Sequence, residues 1–174
     1  LTGLIVLGLA VAIFVAVFVL SSRPGAAIAW DRDKVGIPRV MTPVEVRLDD
    51  LPAIVEALSR GSSKTRFAAL TFGTPDRPSN DDALNLNLTV ENGKVGFDWV
   101  LLGPRNIEDQ EKFKAFARAR GSEPVSRSMN GVSYLRVERA DLVRFTASIV
   151  TEMYHLPATE PLSLFHEGFE WPQR

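Results

Sequence analysis

The chain has no cysteine. Disulfides, thiol catalysis and cysteine-based metal sites are therefore excluded, although the compartment stays open, because a cysteine-free protein suits cytosol and periplasm alike. Histidine is nearly absent too, with His155 and His166 the only two. Nitrogen and oxygen metal sites need three or four convergent groups. Glu152 before His155 and Glu167 after His166 do not make such a set, and no H-E-x-x-H occurs. No metal and no cofactor is expected. An excess of charge of either sign is also missing, since Lys and Arg number 20 against 21 Asp and Glu, for a net charge of −1. A nucleic-acid-binding face needs a basic excess or a basic cluster, so no nucleic-acid partner is expected. Neither G-x-G-x-x-G nor G-x-S-x-G is present. Gly61-Ser62-Ser63-Lys64-Thr65 has some likeness to a phosphate loop, but Ser63 and Leu58 stand where the two glycines belong. The segment also follows an expected helix and precedes an expected strand, the reverse of the order that motif needs.

What the chain does have begins with its first residues. From Leu1 to Leu20 the only polar side chain is Thr2, and no charge occurs before Arg23. A helix of about 20 residues rises about 30 Å, the thickness of the hydrocarbon core of a bilayer. Residues 1–22 are thus expected to form a transmembrane helix, with the membrane as a partner through residues 1–20. An export signal cleaved after Ala29 is the alternative, because Ala27-Ile28-Ala29 has the small-residue pattern of a cleavage site. Arg23, Arg32, Lys34 and Arg39 come after the run and draw that flank to the cytoplasm. Single amino-terminal anchors in bacteria commonly export the domain behind them, which argues for the other side. The expectation is a single-pass protein of the bacterial inner membrane, its domain periplasmic or extracellular.

Residues 23–43, interrupted by Pro24, Pro38 and Pro43, read as a linker, and 44–174 as one soluble α+β domain. Val44, Val46 and Leu48 alternate with charged residues as in a short half-buried strand. Asp49 and Asp50 can cap a helix with Leu51, Ile54, Val55 and Leu58 on one face and Gly61 as its stop. Residues 65–72 read as a strand. Leu84, Leu86, Leu88 and Val90 alternate with polar residues; Asn92-Gly93 comes next, and then Val95, Phe97, Trp99 and Leu101 at the same period. Asn-Gly between alternating runs signals a hairpin, since a type I′ turn needs positive φ at both positions. The implied register pairs Val90 with Val95, Leu88 with Phe97, Leu86 with Trp99 and Leu84 with Leu101. A helix over 107–120, capped by Asn106, a second hairpin about Asn130-Gly131 and a last helix capped by Asp141 complete a small antiparallel sheet with about three helices.

Four remaining features bear on function. Asp76, Asp81 and Asp82 sit in an acidic loop that matches no calcium-loop spacing. Asn87-Leu88-Thr89 satisfies the glycosylation sequon but falls inside an expected strand. Asp98, Glu152 and His155 are the residues from which a scattered enzyme site would be assembled. The tail is rich in aromatics, and Phe165, Phe169 and Trp171 are candidate anchors for a protein partner, unless the tail packs back on its own domain.

From Asp49 onward the expected order is helix, three strands, helix, two strands, helix. That order resembles the type III secretion chaperone-like domains, whose likeness implies a small α+β fold that dimerises and binds other proteins. The functional expectation is a membrane-anchored protein- or peptide-binding domain of a bacterial envelope with no chemistry of its own. The alternatives are a small enzyme built from scattered carboxylates and His155, and a dimeric structural or chaperone-like assembly factor.

Overall fold

The computed structural model describes residues 27–30, 38–63, 66–74, 76, 83–129, 131–138 and 141–171, with the backbone alone for 27–30 and 38–41. Strands β1 (Ala27–Trp30) and β2 (Pro38–Met41) pair antiparallel as a separate ribbon inside the stretch expected as a linker. The remaining strands are β3 (Val44–Val46), β4 (Phe67–Phe72), β5 (Leu84–Glu91), β6 (Lys94–Val100), β7 (Val125–Met129), β8 (Val132–Val137) and β9 (Leu162–Glu167). They form one seven-stranded sheet in the order β3-β9-β4-β5-β6-β8-β7. Every neighbouring pair in it is antiparallel.

The helices are α1 (Leu51–Arg60), α2 (Pro104–Glu108), α3 (Gln110–Ala119) and α4 (Leu142–Ser148), the last running into a π turn over Ile149–Met153. α1 places Leu51, Ile54 and Leu58 in the core against β4, β5, β6 and α4. The Phe113 ring of α3 stacks on Trp99 at 4.6 Å, and Phe145 of α4 meets Phe97 edge-on at 5.3 Å. Such ring pairs are worth about 0.5–1.5 kcal/mol beyond their buried area. Asp141 caps α4 by accepting from the Arg144 amide at 3.2 Å, which satisfies one of the orphan donors of a first turn.

The α+β, antiparallel character of the domain agrees with the sequence. The membrane part of the expectation does not stand. Among the described residues no helix is long and apolar enough to cross a membrane. The longest α-helices, α1 and α3, have ten residues each and rise about 15 Å, half the hydrocarbon thickness. Residues 1–22, on which the transmembrane helix was expected, lie outside the described residues. The single-pass topology, the inner-membrane location, the membrane as a partner through Leu1 to Leu20 and the membrane-anchored binding role are accordingly corrected.

Two local differences have clear causes. The β5–β6 hairpin pairs Val90 with Val95 and Leu88 with Phe97 around Asn92 and Gly93, whose φ values are 51° and 78°. The ladder ends at Asn87 opposite Asp98, short of the pairs expected for Leu86 and Leu84. Asn106 takes over there. Its side chain accepts from the Asn85 amide at 3.0 Å and donates to the Asn85 carbonyl at 2.8 Å, while its own carbonyl accepts from the Trp99 indole at 2.8 Å. Asn106 is thus no helix cap. It lies fully buried inside α2, and the single helix expected over 107–120 breaks into two at Asp109. The aromatic tail, in turn, becomes β9, an interior strand between β3 and β4.

Candidate functional site

β5, β6 and β8 turn Leu84, Leu86, Leu88, Phe97, Trp99, Leu135 and Val137 into the core, and their other face carries the buried Asn85, Asn87, Thr89, Asp98 and Arg136. The register sets Asp98 of β6 directly opposite Arg136 of β8. The Arg136 side chain is fully buried. Its Nη1 lies 2.8 and 3.0 Å from the two Asp98 carboxylate oxygens and 2.8 Å from the Thr89 hydroxyl. Its Nε donates to Glu138 at 2.7 Å and its Nη2 to the Lys94 carbonyl at 3.3 Å. Thr89 donates to Asp98 in turn. The guanidinium can lie flat here because residue 96 is glycine: a Cβ at that position would fall 2.4 Å from Nη2 and 2.5 Å from Cζ.

The cluster extends outward through Glu91. This carboxylate accepts from the Tyr134 hydroxyl at 2.7 Å and from Arg127 of β7 at 2.8 Å, and Arg127 also donates to Glu138 at 3.1 Å. Burial pushes the Asp98 carboxyl up to about 6, with Glu91 adding to the push, against the pull of Arg136 and the Thr89 hydrogen bond. The Tyr134 hydroxyl is raised by burial and by its bond to Glu91. Each carboxylate in the cluster already faces a cation or a donor, so the arrangement is built to hold β5, β6, β8 and β7 together. It offers no free base and no free nucleophile.

β7 is where the sheet ends. Among the described residues it pairs with β8 alone. The two-residue connection at 130–131 leaves Met129 opposite Val132, and in such a hairpin the pair flanking the turn is hydrogen-bonded and bonded pairs alternate. Val125, Arg127 and Met129 therefore turn their N–H and C=O groups to β8, and Ser126 and Ser128 turn theirs away from the sheet. Both serines are exposed. So is Val125, at 53% one of two large apolar residues described as strongly exposed. Charged side chains commonly guard such an edge. Arg127 does not, because its guanidinium reaches inward to Glu91 and Glu138. The opposite edge, β3, is only three residues long and comes directly after Pro43, which has no N–H to offer.

The residues singled out from the sequence fall elsewhere. Phe165 is buried in β9 opposite Ala69. Phe169 is half-buried against His166, with ring centroids 4.9 Å apart, and Trp171 is half-buried against the core. The three do not form one exposed patch. Asp98, Glu152 and His155 share no hydrogen-bond or ion-pair partner: Asp98 lies in the buried cluster, Glu152 pairs with Arg120, and exposed His155 takes φ 56° at the end of the π turn. Burial lowers the His166 pKa. Asp81 and Asp82 lie outside the described residues.

One groove of about 700 Å³ runs between the end of α3 and α4, lined by Arg120, Ser122, Asp141, Arg144, Ser148 and Glu152 among others. Its charges are largely engaged, Arg120 with Glu152 and Asp141 with the α4 amide. No cluster of three or more His, Asp or Glu among the described residues suits a metal ion. The alternation of Asn87, Thr89 and Glu91 with the apolar residues of β5 marked the polar face in the sequence. That Arg136 would sink into this face carried no such sign. No family model, no curated protein and no solved structure matches this chain, so the likeness to type III secretion chaperone-like domains stays one of element order.

Proposed function

We propose that this chain is a non-catalytic assembly factor that takes an extended strand of another polypeptide onto its β7 edge. The observation that carries this reading is the outward-facing backbone of Ser126 and Ser128, unpaired by any strand among the described residues, on a strand whose one charged side chain is turned inward. Strand addition of this kind draws its affinity from main-chain hydrogen bonds, with side chains giving specificity. The buried ionic cluster supports the role mechanically. It ties β7 through Arg127 to Glu91 on β5 and to Glu138 beyond β8, so the edge is presented in a fixed geometry.

A photo-reactive residue in place of Ser128 tests the reading in cells expressing the chain. Adducts of discrete mass are expected, and Ser126→Pro in the same chain should abolish them. Proline there removes only an outward N–H, a position edge strands tolerate. An absence of adducts from Ser128, with adducts forming from the same reagent placed at Ala53, exposed on α1, would refute it.

A further inference from the structure

We infer that the strand received by β7 is β7 of a second copy of this chain, running antiparallel about a two-fold axis through Arg127; this rests on the strand-accepting role proposed for β7. The sequence of the strand is Val125-Ser126-Arg127-Ser128-Met129. Read from either end it is apolar, serine, arginine, serine, apolar, and a two-fold operation maps such a pattern onto itself. Only residues with outward backbone groups can form the new ladder, so Ser126 and Ser128 must pair with positions of the same parity. An axis through Arg127 pairs Ser126 with the second copy's Ser128 and the reverse, making four main-chain bonds. An axis through Ser126 would set Ser128 against Pro124, which has no N–H. An axis through Ser128 would set Ser126 against residue 130, past the end of the strand. The axis through Arg127 is the one symmetric register that uses every outward group within the strand.

The side chains agree with this register. Val125 of each copy comes opposite Met129 of the other, which covers the exposed valine. The two Arg127 residues meet at the axis, an arrangement that costs stability when the charges are bare. Here each guanidinium is already held by Glu91 and Glu138 of its own copy, carboxylates it shares with the buried Arg136, so neither Arg127 meets the other as a bare cation. The product is one continuous sheet of both copies with their β7 edges closed against each other.

The absence of cysteine from the chain makes a register-specific test possible on the full chain. In this register Arg127 faces its own counterpart and Val125 faces Met129 as non-hydrogen-bonded pairs, with Cα atoms about 4.5 Å apart, inside disulfide range. Under mild oxidation Arg127→Cys should give a disulfide-linked dimer. Val125→Cys and Met129→Cys should each stay monomeric under non-reducing denaturing electrophoresis, and their equimolar mixture should cross-link. That mixed pair keeps Arg127 and guards against a folding defect in the first variant. In sedimentation the unmodified chain should dimerise, and Ser128→Pro, which removes one N–H from each copy and so two of the four main-chain bonds, should move the midpoint about ten-fold or more to higher concentration. Self-linking of Val125→Cys, or a mixture that fails to link, would overturn the register. A chain that is monomeric at every concentration would overturn the second copy as partner, while adducts of other proteins from the Ser128 photo-probe would still support strand acceptance.

Discussion

Replacing Arg136 by Met would leave Asp98 as a buried carboxylate with no cation beside it. Methionine fills a similar length of side chain, so the change isolates the charge. Lost are the contacts at 2.8 and 3.0 Å to Asp98, 2.8 Å to Thr89 and 2.7 Å to Glu138, all made by a side chain with no exposed surface. Breaking a buried pair from one side costs about 3–5 kcal/mol, because the remaining ion keeps its desolvation penalty. With a urea slope of about 2 kcal/mol/M, the midpoint of unfolding at pH 7 should fall by about 2 M. Adding Asp98→Leu should recover a substantial part of the loss, since an apolar pair carries no such penalty. In Arg136→Met alone the deficit should shrink on acidification, as protonation removes the stranded charge. Urea titrations of the wild type, single and double variants at pH 7 and pH 5 measure all three effects. A single variant within about 1 kcal/mol of wild type, or a double variant worse than the single, would refute the view that Arg136 serves chiefly to neutralise Asp98.

Gly96→Ala should cost about 1–3 kcal/mol, because its Cβ would meet the Arg136 guanidinium at 2.4 Å and that group is held by Asp98, Thr89, Glu138 and the Lys94 carbonyl; thermal unfolding unchanged within error would show that the guanidinium has room to move. The Asp98 pKa is raised by folding to about 6, so the folded state binds its proton more tightly than the unfolded one. Its contribution to stability is full below the unfolded value, about 4, and declines as pH rises to about 6. The stability of the wild type minus that of Asp98→Asn should therefore fall between pH 4 and pH 6, and a difference that rises across that window would reverse the assignment. Asn106→Ala should cost about 1–3 kcal/mol by leaving a buried N–H and C=O of Asn85 without partners. Hydrogen exchange at the Asn85 amide should accelerate, and full protection retained there would contradict the bridge described for Asn106.

Asn92-Gly93 and the flanking alternation specify the register of β5 against β6 locally, because a two-residue turn leaves one way to pair the strands and a one-residue slip would expose Leu88 and Phe97. The capping aspartate of α4 and the amphipathic stripe of α1 are legible for the same reason: each depends on residues within one or two turns of chain. Phe165, Phe169 and Trp171 are legible only as aromatic. Whether they face a partner or a core depends on where the tail goes, and insertion between β3 and β4 is a contact between residues about 100 positions apart, which no local pattern encodes. Asn106 reads as a cap because an asparagine before a helix satisfies that role locally, whereas the gap it fills lies between β5 and β6.

The sequence by itself determined the composition-level exclusions, the α+β character, the hairpin turns and the palindromic order of residues in β7. These arise from residue chemistry and from periodicities of 2 and 3.6 that act over a few residues. Only the tertiary structure decided that β7 is the sheet's edge, that Arg127 is turned away from that edge, and that Asp98 and Arg136 are buried against each other over Gly96. Those facts arise where strands distant in sequence are laid side by side, and burial there turns an ordinary cross-strand pair into the charge cluster that holds the edge in place.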